Sequence, residues 1–222
     1  MKDILRAAIA VPPLKLADVA ANQAQIVSQM EKAKAEGATL LVLPELCVCG
    51  CSCGDLYLSD LLRERVEQAL ASLASALPEE LVCVIGAPLK VGIAIYNCAV
   101  VLAQGRILGA VPKSLGESDR VFASGRDLPV TLVTLGCFTF PVGADLVFRA
   151  ADGTVIGIAP GEDCLAPISQ ASLLAMAGAE VIVSPFAMPA TVSKREKVRN
   201  AICAISGSAH AACCGPTFSG LL

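Results

Sequence analysis

The chain has 222 residues, 55% of them apolar and only 17% charged, with a formal net charge of −3. This composition excludes a disordered chain and provides no basic footprint for nucleic acid; charged or small polar residues also interrupt every apolar run short of a membrane span. The length suits one well-buried layered domain covering 1–222. So low a charge fraction predicts apolar surface covered by a partner or by a second copy in a homo-oligomer.

The amino-terminal Met1-Lys2-Asp3-Ile4 lacks the basic-then-apolar layout of a secretory signal, so a cytoplasmic location is expected. Short β-branched runs predict strands from Arg6 to Val11, Leu40 to Leu43, Leu81 to Ile85, Ile95 to Val101, Val155 to Ala159 and Val181 to Ser184. Between the first two, Asp18 is placed to cap a helix running to Glu36. Its stripe is Val19, Ile26, Val27 and Met30, and Gly37 stops it. Asp60 to Ala76 repeats the pattern with Leu61, Leu62, Val66, Leu70 and Leu73. Ser114 to Arg120 is polar and loop-like, and Val130 to Phe140 resembles a strand pair. Ser169 to Ala177 and Lys194 to Ser206 read as two further helices, the latter opening on the solvated Lys194-Arg195-Glu196-Lys197. Alternating strands and helices with buried strands predict a layered α/β fold.

In the cytosol, the eleven cysteines are expected to be reduced thiols. Cys83, Cys98, Cys137 and Cys203 lie in apolar text and are expected in the core. Cys47, Cys49, Cys51 and Cys53 alternate by two and would share one face if extended. Zinc sites favour two-residue gaps and a distant second pair, so no metal site is assigned. No phosphate-binding glycine loop occurs, and no cofactor is expected. His210, the only histidine, has no acid that the sequence brings to it.

Three stretches carry chemistry. Leu43-Pro44-Glu45 and Val111-Pro112-Lys113 supply a carboxylate and an ammonium just after apolar runs. The third is Gly157-Ile158-Ala159-Pro160-Gly161-Glu162-Asp163-Cys164. A carboxylate, an ammonium and a thiol at strand ends are the parts of an amide-cleaving enzyme. The simpler reading of Glu45 and Lys113 is a buried ion pair, and of Glu162-Asp163 a helix start.

These stretches, with Ala8 to Pro13, Gly37 to Cys47, Cys53 to Leu58, Tyr96 to Leu102 and Gly105 to Gly109, resemble the nitrilase (carbon–nitrogen hydrolase) superfamily. Within it they are similar to the glutamine-hydrolysing domain of NAD synthetases, and the likeness runs to Phe218-Ser219-Gly220. The resemblance implies an α–β–β–α sandwich with Glu45 as general base and Lys113 stabilising the tetrahedral intermediate. It also implies a small amide such as glutamine as substrate and a synthetase partner for the ammonia, because no ATP-binding domain is present in the chain. Glu162, Tyr57 and Phe186 are the candidate substrate contacts.

The family's nucleophilic cysteine falls on Gly161, its second glutamate near Ser124 and a pocket tyrosine on Cys51. Cys164, three residues on, is the displaced candidate nucleophile. That spacing moves a side chain ~5 Å along a helix or ~10 Å along a strand, whereas catalytic geometry tolerates about half an ångström. Two functions follow: a glutamine amidohydrolase whose thiol has moved, or a catalytically silent nitrilase-fold domain used for binding, assembly or regulation.

Overall fold

The computed structural model describes residues 5–115, 121–187 and 194–218. Met1-Lys2-Asp3-Ile4, positions 116–120 of the polar loop and Ser219-Gly220 lie outside them. Seven strands form the first sheet: β1 (Ala7–Ile9), β2 (Leu40–Val42), β3 (Val82–Val91), β4 (Ala94–Ala103), β5 (Arg106–Pro112), β6 (Thr131–Leu135) and β7 (Phe138–Val142), in spatial order β1-β2-β3-β4-β5-β7-β6. The second sheet contains β8 (Val147–Arg149), β9 (Val155–Ile158), β10 (Val181–Val183) and β12 (Ala212–Cys214), ordered β12-β10-β9-β8. A short parallel pair, β11 (Phe186–Ala187) and β13 (Thr217–Phe218), lies beyond β10 in the chain.

Side-chain alternation along the central strands creates the layers. Leu40 and Val42 of β2, with Val84, Val101 and Val111, meet Ile156, Ile158, Val181 and Val183 of the second sheet. Leu41, Cys83, Ile85 and Val100 point the other way. They pack against Ile26 and Met30 of α1 (Val19–Ala35) and Val66, Leu70 and Leu73 of α2 (Asp60–Ala76). Behind the second sheet, Val155 and Ile182 pack on Ala171 and Leu174 of α3 (Gln170–Met176) and on Val198, Ile202 and Ile205 of α4 (Lys194–Ala209). The result is an α–β–β–α sandwich. Caps follow the chemistry expected of them: Asp18 accepts from Ala21 N at 3.0 Å and Ser169 from Ser172 N at 3.1 Å.

Several sequence expectations need correction. Leu61 is 64% exposed, because the buried stripe of α2 begins one position later at Leu62 and neighbouring helix positions point about 100° apart. Cys137 and Cys203 are exposed, not core. The first follows Gly136 in the β6–β7 turn; the second faces away from the sheet while Ile202 and Ile205 pack inward. Residues 45–49 and 51–52 form turns, so Cys47, Cys49, Cys51 and Cys53 do not share a strand face. Val82–Val91 runs well past its expected end at Ile85 and pairs with Ala94–Ala103, close to its expected bounds, in one long hairpin.

β1, β2 and β3 run parallel, and β5 shares their direction through the antiparallel β4. Their carboxyl ends therefore open on one side, where Glu45 follows β2 and Lys113 follows β5. The turn carrying Glu45 lies directly on β3 at Gly86: a Cβ there would lie 2.3 Å from Leu46 N and 2.4 Å from Pro44 O. Both are backbone atoms and cannot swing aside. Across the sandwich, Asp163 ties the second sheet to the first, accepting from Ser114 N at 2.7 Å and Leu115 N at 2.6 Å.

Gly86→Ala is expected to destabilise the protein by about 3 kcal/mol, as overpacking against rigid backbone does, measured by urea unfolding. Burial raises the Asp163 pKa from 3.8 to about 6, outweighing its two N–H donors. The folded state then holds the proton that the unfolded state releases, so this group's contribution is fully present below pH 3.8 and lost as pH rises through about 6. Wild-type unfolding free energy should therefore fall between these pH values relative to Asp163→Asn. Parallel curves for the two proteins would contradict the shift.

Candidate active site

Glu45 stands three residues beyond β2 in a turn whose next residue, Leu46, has the left-handed φ of 51°. A branched residue held there stores about 1 kcal/mol or more of backbone strain; its buried side chain and the Gly50 N–H donating to Leu46 O at 2.7 Å fix it. The Glu45 carboxylate is almost wholly buried. Its Oε1 accepts from Asn97 Nδ2 at 2.9 Å and lies 3.1 Å from Lys113 Nζ, while its Oε2 accepts from Ala187 N at 2.6 Å. Lys113, also buried, is held by its backbone N–H donating to Asn97 O at 2.8 Å. Glu162 Oε2 lies 3.7 Å from the same ammonium. One cation thus sits between two carboxylates at the meeting of both sheets.

These groups line a cavity of about 380 Å³, with Cys51, Tyr57, Val121 and Phe122 among the other walls. The Tyr57 ring packs on Phe122 with centroids 4.8 Å apart, and its hydroxyl donates to Gly50 O at 2.6 Å. Of the sequence candidates, Glu45, Lys113, Glu162 and Tyr57 come together here. Phe186 instead lies fully buried between the second sheet and its helices. Ser124 is exposed and donates its hydroxyl to Ser114 O. Among the described residues, no three His, Cys, Asp or Glu side chains gather as metal ligands.

Gly161 has a φ of +53°, and a Cβ built on it would lie 2.9 Å from Lys113 Cε and 3.0 and 3.1 Å from the two Glu45 carboxylate oxygens. The turn points a side-chain direction straight between the Glu45 carboxylate and the Lys113 side chain, at a residue with no side chain. Its backbone is anchored by Gly161 N donating to Pro185 O at 2.7 Å. The Glu162-Asp163 pair starts no α-helix. Residues Gly161–Leu165 form a 3-10 turn, and Asp163 bonds to the loop after Lys113 instead.

Cys164 faces the other side. Its Sγ donates to Gly161 O at 3.3 Å and packs with Ala171, Leu174, Ile182 and Phe186. Burial pushes its thiol up to about 12, so it is a protonated core group at neutral pH.

Sequence reading missed two members of the site. Asn97 falls inside the Tyr96 to Leu102 stretch with no role assigned to it, although a lone amide inside the apolar run from Ile95 to Val101 calls for a buried partner. The Ala187 donor is a backbone N–H, and no residue type could have announced it.

The sequence profile described as carbon-nitrogen hydrolase matches residues 6–204. A glutamine-dependent NAD(+) synthetase of Mycobacterium tuberculosis is 35% identical over 192 residues, covering 83% of this chain and 28% of that protein; the chain thus spans under a third of that relative. In structure, a glutamine-dependent NAD(+) synthetase from Cytophaga hutchinsonii superimposes with a TM-score of 0.86 at 21% identity, over 96% of this chain and 36% of that one. An amidase from Nesterenkonia sp. AN1 gives 0.74 at 16% identity, over 96% and 76%. Profile, sequence and fold agree: the chain belongs to the carbon–nitrogen hydrolase (nitrilase) family and resembles the amino-terminal domain of glutamine-dependent NAD(+) synthetase.

Proposed function

We propose that this chain is a nitrilase-fold domain that binds a small carboxamide, glutamine being the first to test, without cleaving it through a thioester. The observation that carries this reading is Gly161, whose missing side chain would project between Glu45 and Lys113. Formation of an acyl-enzyme needs a nucleophile there, and glycine has none.

The rest of the site suits recognition. The Lys113 ammonium can donate to an amide oxygen, and the Glu45 and Glu162 carboxylates can accept from amide or ammonium N–H groups. The cavity is of the size that encloses a small polar molecule. A cysteine-to-alanine mutant of the Nesterenkonia amidase was solved in complex with butyramide, so that protein still holds a carboxamide with one cysteine removed. Glutamine is chosen because the matched synthetases are named for their dependence on it. Cys164 does not take over: its sulfur lies in the core behind the second sheet and stays protonated. On this reading the domain supplies no ammonia to a synthetase partner.

Purified protein should release no ammonia from glutamine above the buffer rate, while calorimetry or ligand-observed NMR detects binding. Lys113→Met should weaken that binding roughly tenfold, about 1.4 kcal/mol. Ammonia release that disappears in Glu45→Gln would overturn the reading.

Gly161→Cys should gain labelling by an electrophilic glutamine analogue at the new thiol. It should also lose about 1 kcal/mol of stability, because a side chain is disfavoured at φ +53°. Wild-type protein should carry no label at Cys164. Labelling of Cys164, with turnover lost in Cys164→Ala, would instead identify a relocated nucleophile.

A further inference from the structure

The turn between Glu45 and α2 holds four cysteines, and the fold separates them into different environments. Cys47 points at Gly86 O at 3.6 Å in the core, and Cys51 lies at the cavity near Ser52 Oγ. Cys49 and Cys53 converge. Their sulfurs lie 3.7 and 3.5 Å from the same acceptor, Gly50 O, and the two thiols are hydrogen-bond partners. Gly50, with φ +92°, makes the reversal that brings the two together. Cys53 Sγ also approaches Cys49 O at 3.1 Å.

We propose that Cys49 and Cys53 form a thiol pair that a small hydroperoxide oxidises to a disulfide, closing the turn that walls the cavity. Cys53 is the residue oxidised first. Its sulfur has the Cys49 thiol as a hydrogen-bond donor, which stabilises negative charge on sulfur. That partner holds Cys53 down at about 6, while Cys49 itself is held up as the protonated member of the pair. Access is short: Ser52 and Gly54, on either side of Cys53, both line the cavity.

The chemistry balances. The Cys53 thiolate attacks one peroxide oxygen; an S–O bond forms, the O–O bond breaks, and the departing oxygen takes a proton to leave as water or alcohol. The Cys49 sulfur then attacks the Cys53 sulfur of this sulfenic acid. The S–S bond forms, the S–O bond breaks, and hydroxide leaves with the Cys49 proton as water. Two thiols lose two electrons, and one hydroperoxide gains them. Because Leu46, Cys51, Ser52, Gly54 and Tyr57 belong to the same turn and wall the cavity, the cross-link fixes one side of the pocket. This inference is independent of whether the pocket binds or cleaves an amide.

Fully reduced protein is treated with a few equivalents of hydrogen peroxide, alkylated under denaturing conditions and mapped by tandem mass spectrometry. The expected result is loss of two hydrogens, a Cys49–Cys53 linkage and reversal by dithiothreitol. In Cys49→Ser, Cys53 should stop at a sulfenic acid that dimedone captures. Cys53 left as a free thiol, or a linkage that joins it to Cys47 or Cys51 instead, would overturn the proposal.

Discussion

The buried pair of Glu45 and Lys113 is the interaction on which the site geometry depends. Each charge gives up water to enter the sandwich, at a cost that a bare ion pair only partly offsets. The fold supplies the remainder: Asn97 Nδ2 and Ala187 N donate to the carboxylate, and Glu162 adds a second acceptor beside the ammonium. Removing either partner would leave an uncompensated buried charge, typically costing 3–5 kcal/mol. The pair is thus retained for folding reasons whether or not amide chemistry proceeds beside it. An intact Glu–Lys pair shows that the site's framework is present; it does not by itself show turnover.

The elbow at Gly161 obeys a different constraint. Its left-handed backbone is fixed by the hydrogen bond to Pro185 O and by Asp163 gripping the loop after Lys113. None of these contacts uses a side chain at position 161. Glycine even removes the steric penalty that any other residue would incur at this φ. The turn, the cavity and the ion pair therefore stand without any side chain at position 161, because the contacts that hold them are made by other groups.

Much of this architecture was legible in the sequence, and the failures have physical reasons. The bounds Asp60 and Ala76 of α2 could be read directly, since a long amphipathic run carries its own period. Strands β8, β11 and β13 could not, because their two or three residues carry no β-branched run and form a strand only through pairing with distant chain. Cys137 and Cys203 were misassigned because a small thiol in apolar text is equally at home in a turn or on an outer helix face. In the site, Glu45 and Lys113 were found through motif likeness, whereas Asn97 and the Ala187 N–H work through contacts across the fold. The direction of Cys164 was the hardest to read. Three residues along a 3-10 turn would stack side chains on one side, but the left-handed backbone at Gly161 turns that residue's Cβ direction toward Glu45 while Cys164 faces the opposite core.

Comparing Cys164 with Cys53 explains why counting cysteines says little about reactivity. Both are nearly inaccessible, yet one is pushed up to about 12 and the other held down at about 6. Burial acts on both in the same direction. The difference lies in the partner: Cys164 directs its proton at Gly161 O, and burial outweighs its Ser184 contact, whereas Cys53 is paired with a second thiol, Cys49, that stays protonated. Nucleophilic character follows the donors. No side chain stands at Gly161, between Glu45 and Lys113, and the cysteine three residues on is held in its neutral form. The thiol whose surroundings favour its anion lies instead between Ser52 and Gly54, two residues of the cavity wall, just before the 3-10 turn that carries Tyr57.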